Sequence, residues 1–415
     1  MYLKIVILVT FPLVCFTQDD TPLSKPMAID YQAEFAWDLY KKLQLGFTQN
    51  LAIAPYSLRK IFVCLQQLTV STNPASAALS EQLKMYLRFN PKGKLPDLVR
   101  RRYSSQRAML ERENSFNTTT LAAVIGREKK TNSFWDLPNS CAIFVGSLRP
   151  GSPKQMSRRF NAAMRNISKS GMQNFLSTSD IDRDLDFLIA DSWIFKGLWS
   201  YQFEEQHTTT CNFYTNSTSK GLMRFMYLQE YLKYGYFSEW NVEAVELPLH
   251  HGSSFSCMLM MPVKADIGVL IKSLNHRRFK DIYSKMSFSK TDVRLPQFTL
   301  RIKFSAKSIL QQFGFNAAFN ESVFHVFDNK NAVPLGDVIQ KVKLVMDHDG
   351  EQSAKMYVDR RMGNLFIAHQ PFIFVIFEKT QLVPIIVGHM VTASTPKDIG
   401  PESDEISCDR PPRYQ

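Results

Sequence analysis

FLIADSWIFKGLW occupies residues 187–199, close to the middle of the chain. It is nearly continuous apolar and aromatic sequence, the pattern of a strand buried on both faces. Asp191 is an anomaly inside it. Downstream, AVELPL (244–249), the turn HHG and SSFSCMLMM (253–261) read as strand, turn and strand. VRLPQFTLRIKF (293–304) is strand-like, and SAKSILQQFGF (305–315) is a short helix with Ser305 as its cap. PFIFVIFEKTQLVPIIVGHMV (371–391) is a hairpin of two strongly apolar strands.

Upstream the period changes. In YQAEFAWDLYKKLQL (31–45), Tyr31, Phe35, Leu39 and Leu43 recur every four residues, so an amphipathic helix is expected, capped by Asp30 and ended by Gly46. PYSLRKIFVCLQQL (55–68) puts Leu58, Ile61, Phe62, Leu65 and Leu68 on one face, with Ser57 as N-cap. Helical pattern continues through SEQLKMYL (80–87) and DLVRRRYSSQRAML (97–110). Helices first and strands later, with helices interspersed, define an α+β chain with mostly antiparallel or mixed sheets.

The 415 residues, 45% of them apolar, can bury a sizeable core. MYLKIVILVTFPLVCFTQDD opens with Lys4 and an apolar run to Phe16. This run is too short to span a bilayer and has the shape of a secretory signal, so cleavage near Thr17 is expected. No later stretch is long and apolar enough to insert in a membrane. Residues 396–415 are Pro-rich, acidic and without an apolar face, and are expected to be a disordered tail.

Six cysteines stand at 15, 64, 141, 211, 257 and 408. Cys15 leaves with the signal, and five widely spaced cysteines make neither a disulfide framework nor a zinc pattern. Cys64 reads as a small core residue and Cys408 as the candidate free thiol. Asn117, Asn166, Asn216 and Asn320 begin Asn-x-Ser/Thr sequons, expected on exposed loops as glycan sites. The net charge of +12 favours anionic surfaces and polyanions, for a secreted chain sulfated polysaccharide rather than nucleic acid. Basic residues cluster at Arg100–Arg101–Arg102 with Arg107, at Arg127 with Lys129 and Lys130, and at Arg277–Arg278 with Lys280; a solvated face is the favoured reading of each, and polyanion binding the lesser one.

Enzyme motifs are missing: no GxSxG, HExxH, Walker loop or GxGxxG occurs. His250 and His251 are adjacent, so on a strand they point to opposite faces and cannot share a metal. No enzyme activity, metal or cofactor is expected.

Several blocks, in order, resemble the serpin family from about Asp30 to Ala393. Asn50-Leu51-Ala52-Ile53-Ala54-Pro55-Tyr56-Ser57 resembles the start of a family helix. Phe195-Lys196-Gly197-x-Trp199 with Phe203 is similar to a central-sheet strand. Glu246-Leu247-Pro248, Met261-Pro262 and Leu295-Pro296-x-Phe298 fit further family blocks. Phe366, Pro371-Phe372 and Gly388 resemble the C-terminal signature. The resemblance implies a serpin domain over 18–395 with three β-sheets, eight or nine helices and an exposed reactive loop at about 350–366. It also implies a monomer that a target protease engages through that loop. In inhibitory members the cut loop enters the central sheet as a new strand.

The segment DHDGEQSAKMYVDRRMGN (347–364) falls in that loop and offers Arg360 or Arg361 as bait for a trypsin-like protease. Alternation from Gly350 puts Glu351, Ser353, Lys355 and Tyr357 on one face. Aligned on Gly350, the family pattern turns Glu351 and Lys355 inward on insertion, and burying an ion costs several kcal/mol. The resemblance also marks departures: His348 stands for a hinge Glu, Ala54 for Ser with Ser57 retained, Asp191 for Asn, and Gln340 for His. The last two are expected to pair under the opening sheet. The span from Gly350 to Pro371 is a few residues short. These features predict a secreted glycoprotein whose suicide inhibition is weak or lost and which acts as a binding or carrier scaffold. The alternative is a working inhibitor of an extracellular trypsin-like serine protease.

Overall fold

The computed structural model describes residues 25–393, apart from 44–47, 88–104, 126–133, 137–143, 168–173, 183, 217, 265, 327–330 and 352–362. Strands and helices are numbered in chain order. The buried run at 187–196 becomes the third strand of a six-stranded sheet. Its order is β11 (Phe298–Ser305), β12 (Asp337–Met346), β5 (Phe187–Lys196), β2 (Phe116–Ile125), β4 (Phe144–Leu148) and β3 (Phe134–Asp136). Both faces of β5 are covered. Trp193 and Phe195 join the main core, whereas Leu188 and Ala190 pack in a second cluster with Met156, Phe160 and Met164 of helix α5 (Pro153–Ile167). That double coverage is why the strand tolerates almost no polar residue.

The second sheet has nine strands. Its path runs β1 (Leu51–Ile53), β15 (Val383–Met390), β14 (Phe372–Glu378), β9 (Phe255–Met261), β8 (Val242–Pro248), β7 (Lys220–Phe237), β10 (Ser287–Pro296) and β13 (Asn364–Ile367), with β6 (Glu204–Tyr214) pairing β7. Where three sheets are implied by resemblance, two of them share β7. This 18-residue strand pairs β6 and β10 over most of its length and β8 at Tyr234–Phe237. The β8–β9 and β14–β15 pairs read from sequence are both antiparallel, as expected. VRLPQFTLRIKF divides at Gln297, whose N–H donates to Arg224 O, and its halves serve different sheets.

Helices α1 (Lys25–Lys42), α2 (Pro55–Gln67) and α3 (Pro74–Tyr86) precede the strands; α4 covers 105–112. Later helices are α6 (Ile267–Ser273), α7 (His276–Lys285), α8 (Lys307–Gln312) and α9 (Ala317–Asn320). Three caps differ from expectation. Asp30 lies inside α1, and Gly46 is outside the described residues. Pro55 at N1 moves the start of α2 three residues earlier, so Ala54 is the cap position and Ser57 is intrahelical. Ser305 ends β11; Ala306 precedes α8, although Ser305 Oγ still accepts from Lys307 N–H at 3.2 Å.

Among the described residues, no helix is long and apolar enough to cross a membrane. Cys64 is buried as expected but is disulfide-bonded, as is Cys211; among the described residues the free thiol is Cys257, which is buried. Cys408 lies outside the described residues, as do the signal segment 1–17 and the tail 396–415.

Candidate functional site

Strands β5 and β12 run parallel and pair directly from Asp337↔Leu188 to Val345↔Lys196. No chain separates them, so this seam is closed. At one register position, Gln340↔Asp191, both partners are polar and fully buried. The Asp191 carboxylate accepts from Ser57 Oγ at 2.7 Å, Thr120 Oγ1 at 2.8 Å and Gln340 Nε2 at 2.6 Å. Gln340 Nε2 also reaches Ala54 O at 3.1 Å, and its Oε1 accepts from Ala54 N–H at 2.8 Å. Thus the expected Asp191–Gln340 pair forms, and Ala54 contributes its backbone where its side chain cannot. Lys60 Nζ donates to Thr120 Oγ1 at 3.0 Å from within α2. Thr120 and Lys60 were not anticipated. The signals available were three threonines leading into the apolar end of β2 and a Lys beside Ile61 and Phe62.

Above the seam the pairing continues into the hinge. Gly197 N–H donates to Val345 O, Trp199 N–H to Asp349 O, Glu351 N–H to Trp199 O and Gln202 N–H to Glu351 O, all within 2.9–3.1 Å. Trp199 Nε1 donates to Asp347 O at 2.8 Å. A Cβ on Gly350 would lie 2.9 Å from both Gln202 Cα and Trp199 O, so the close backbone approach requires glycine. Lys196 ion-pairs with Asp347 at 3.7 Å and more closely with Asp349, whose hydrogen bond raises the ammonium pKa above its ordinary value.

Glu351 is not inward in this state. It is half exposed, its carboxylate 2.8 Å from His251 Nδ1 and 3.2 Å from His251 N. His348 stands only loosely beside Glu205 and Asp349, at 3.9 and 3.8 Å. Ser353, Lys355, Arg360 and Arg361 lie outside the described residues.

Below the hinge, the segment after α5 crosses the same sheet. Asn161 holds Leu176 through both amide atoms at 2.8 Å. Asp180 accepts from Lys303 of β11 at 2.7 and 2.8 Å, and Lys341 of β12 donates to Asn174 O at 3.0 Å. Burial opposes ionisation of Asp180, but hydrogen bonds from Lys303 and Ser177 outweigh it and hold its pKa below the usual range. Burial lowers the Lys341 pKa, and Lys303 across the ladder adds to that.

The remaining candidates scatter. Arg100, Arg101 and Arg102 are outside the described residues, and Arg107 is paired with Glu111 at 2.6 Å. Asn166, Asn216 and Asn320 are exposed, but of the four only Asn216 lies on a loop: Asn166 is in α5, Asn320 ends α9, and Asn117 sits half buried within β2, paired with Ile194. The described residues contain no cluster able to hold a metal.

The seam is closed, and β12 leads through Gly350 toward β13, with seventeen residues (347–363) between the two strands. The family model described as serpin (serine protease inhibitor) matches residues 30–393. An Aedes aegypti protein named FXa-directed anticoagulant is 99% identical over 415 residues, covering all of both chains. An Aedes albopictus protein of the same name is 63% identical over 415 residues, 100% of this chain and 99% of that one. The structure of SRPN18 from Anopheles gambiae superposes with a TM-score of 0.75 at 15% identity, over 89% of this chain and 99% of that one. The chain belongs to the serpin family.

Proposed function

We propose that the chain is a secreted inhibitor directed at an extracellular trypsin-like serine protease, and that FXa is that protease. The observation that carries this reading is the 99% identity, over the whole length, to a protein named FXa-directed anticoagulant. The 63% relative carries the same name. The carrier scaffold favoured by the hinge residues has no counterpart in these names, so the alternative reading becomes the main one.

Arg360 or Arg361 enters the acidic specificity pocket of the protease as bait. The hinge argument then bears on how the protease is held. Glu351 and Lys355 oppose insertion of the cut loop, so the bound loop's own contacts retain the enzyme more than entrapment does.

The test is inhibition of purified factor Xa on a chromogenic substrate by the wild type, Arg360→Ala and Arg361→Ala. Wild type inhibits, and one of the two variants loses at least about tenfold in potency, the scale of a lost hot-spot residue. Boiling in SDS releases free protease from most of the complex. Absence of inhibition by the wild type overturns the function. Full potency in both variants overturns the bait assignment alone.

A further inference from the structure

Seven large apolar side chains are exposed among the described residues, and three of them gather on one face of three adjacent strands. Tyr231 of β7 is 65% exposed, Phe288 of β10 71% and Leu365 of β13 47%. The register explains the gathering. Phe288 pairs with Lys233, Lys290 with Tyr231, and Asp292 with both Gln229 and Leu365. Alternation turns this set outward, while Leu232, Thr291 and Val293 between them are buried. Side-chain contacts across the strands and to α7 stiffen the face. Lys233 Nζ lies 3.7 Å from the Tyr283 ring centroid and 5.9 Å from that of Phe288, and Gln229 Nε2 donates to Asp292 Oδ1 at 2.6 Å. The result is an apolar surface edged by Lys233 and Lys290, with the single carboxylate of Asp292 held by Gln229, the kind that marks an interaction site.

Chain connectivity says what covers it. Leu365 follows Arg361 by four residues and Arg360 by five. An extended residue spans at most about 3.6 Å, so either arginine lies within about 18 Å of Leu365. A protein docked on that arginine covers about 800 Å² of this chain, a disc of roughly 16 Å radius. A protease closed over the bait is therefore brought to the edge of the patch by the loop itself.

Resting on the inhibitor reading above, we propose that Tyr231, Phe288 and Leu365, with Lys233 and Lys290, form a second contact surface for the target protease. It fits an apolar area bordered by carboxylates beside the enzyme's active-site cleft. The surface adds affinity and selects among proteases that accept arginine equally well.

The test uses immobilised factor Xa with its catalytic serine replaced by alanine, and the full-length secreted protein as analyte. The double variant Tyr231→Ser, Phe288→Ser should bind at least about tenfold more weakly, mainly through faster dissociation. Val269→Ser, at an exposed apolar residue of α6 outside this strand set, should bind as wild type does. A second variant, Lys233→Glu with Lys290→Glu, should slow association severalfold in a salt-dependent way, and guards against misfolding of the first. Wild-type affinity in both variants overturns the surface and leaves the inhibitor reading standing. No binding by the wild type overturns both. A wild-type dimer seen by light scattering, abolished in the serine variant without change in protease binding, also overturns the proposal by assigning the patch to a second copy.

Discussion

His389 shows how much a single residue can hide from sequence. Its Nε2 faces Gln49 O at 3.0 Å, an acceptor only, so Nε2 carries the proton and Nδ1 accepts from Tyr40 O–H at 2.8 Å. The neutral ring is satisfied, and burial lowers its pKa from 6.5 to about 4. The unfolded chain therefore binds the proton first as pH falls. Stability contributed by the neutral ring is complete above about pH 6.5 and drains away toward pH 4, by a total on the order of 3 kcal/mol. Urea midpoints should fall between pH 7 and 4.5 in the wild type and fall less steeply in His389→Leu, which has no such proton to bind. Equal slopes would show that other groups set the acid sensitivity. The run VPIIVGHMV announces a buried strand, but nothing local announces Tyr40, 349 residues away.

Among the elements, the β5–β12 seam was legible in part, and for a physical reason. Asp191 interrupts an apolar strand, and an isolated buried carboxylate must find partners, so its pairing with Gln340 follows from burial and family resemblance together. Thr120, Lys60 and the backbone of Ala54 come from β2 and the start of α2, where only tertiary packing decides the neighbours. Misplacing the α2 cap at Ser57 had the same root. Ser57 is a good capping residue, but Pro55 starts the helix earlier, which leaves its hydroxyl free for Asp191. Gln340→Leu tests the cluster as a unit. It strands Asp191 Oδ2 and the Ala54 N–H in a dry site, while Ala54 O keeps the Ser57 and Leu58 N–H donors of α2, and should cost about 2–4 kcal/mol in denaturant unfolding. A loss below about 0.5 kcal/mol, the level of an ordinary surface change, would mean the seam relaxes around the gap.

For the whole molecule, the balance lies between a closed seam and a loop able to enter it. On the inhibitor reading, a cut at Arg360–Arg361 would free the segment after Gly350 to insert between β12 and β5. That exchanges one ladder for two, and each new hydrogen bond contributes roughly 0.5–1.5 kcal/mol. Against this stand Glu351, now solvated beside His251, and Lys355, each costing several kcal/mol to bury. They are too far apart on an extended strand, about 13 Å, to neutralise one another. Thermal melts before and after limited trypsin nicking should therefore differ by only a few degrees in the wild type. In Glu351→Thr with Lys355→Ala, nicking should raise the melting temperature by on the order of 10 °C, because several kcal/mol of opposition is removed. The same variant should convert the releasable protease complex into one that survives SDS. A large rise in the nicked wild type would mean that the sheet accepts both ions, and entrapment would then be the way the chain holds its protease.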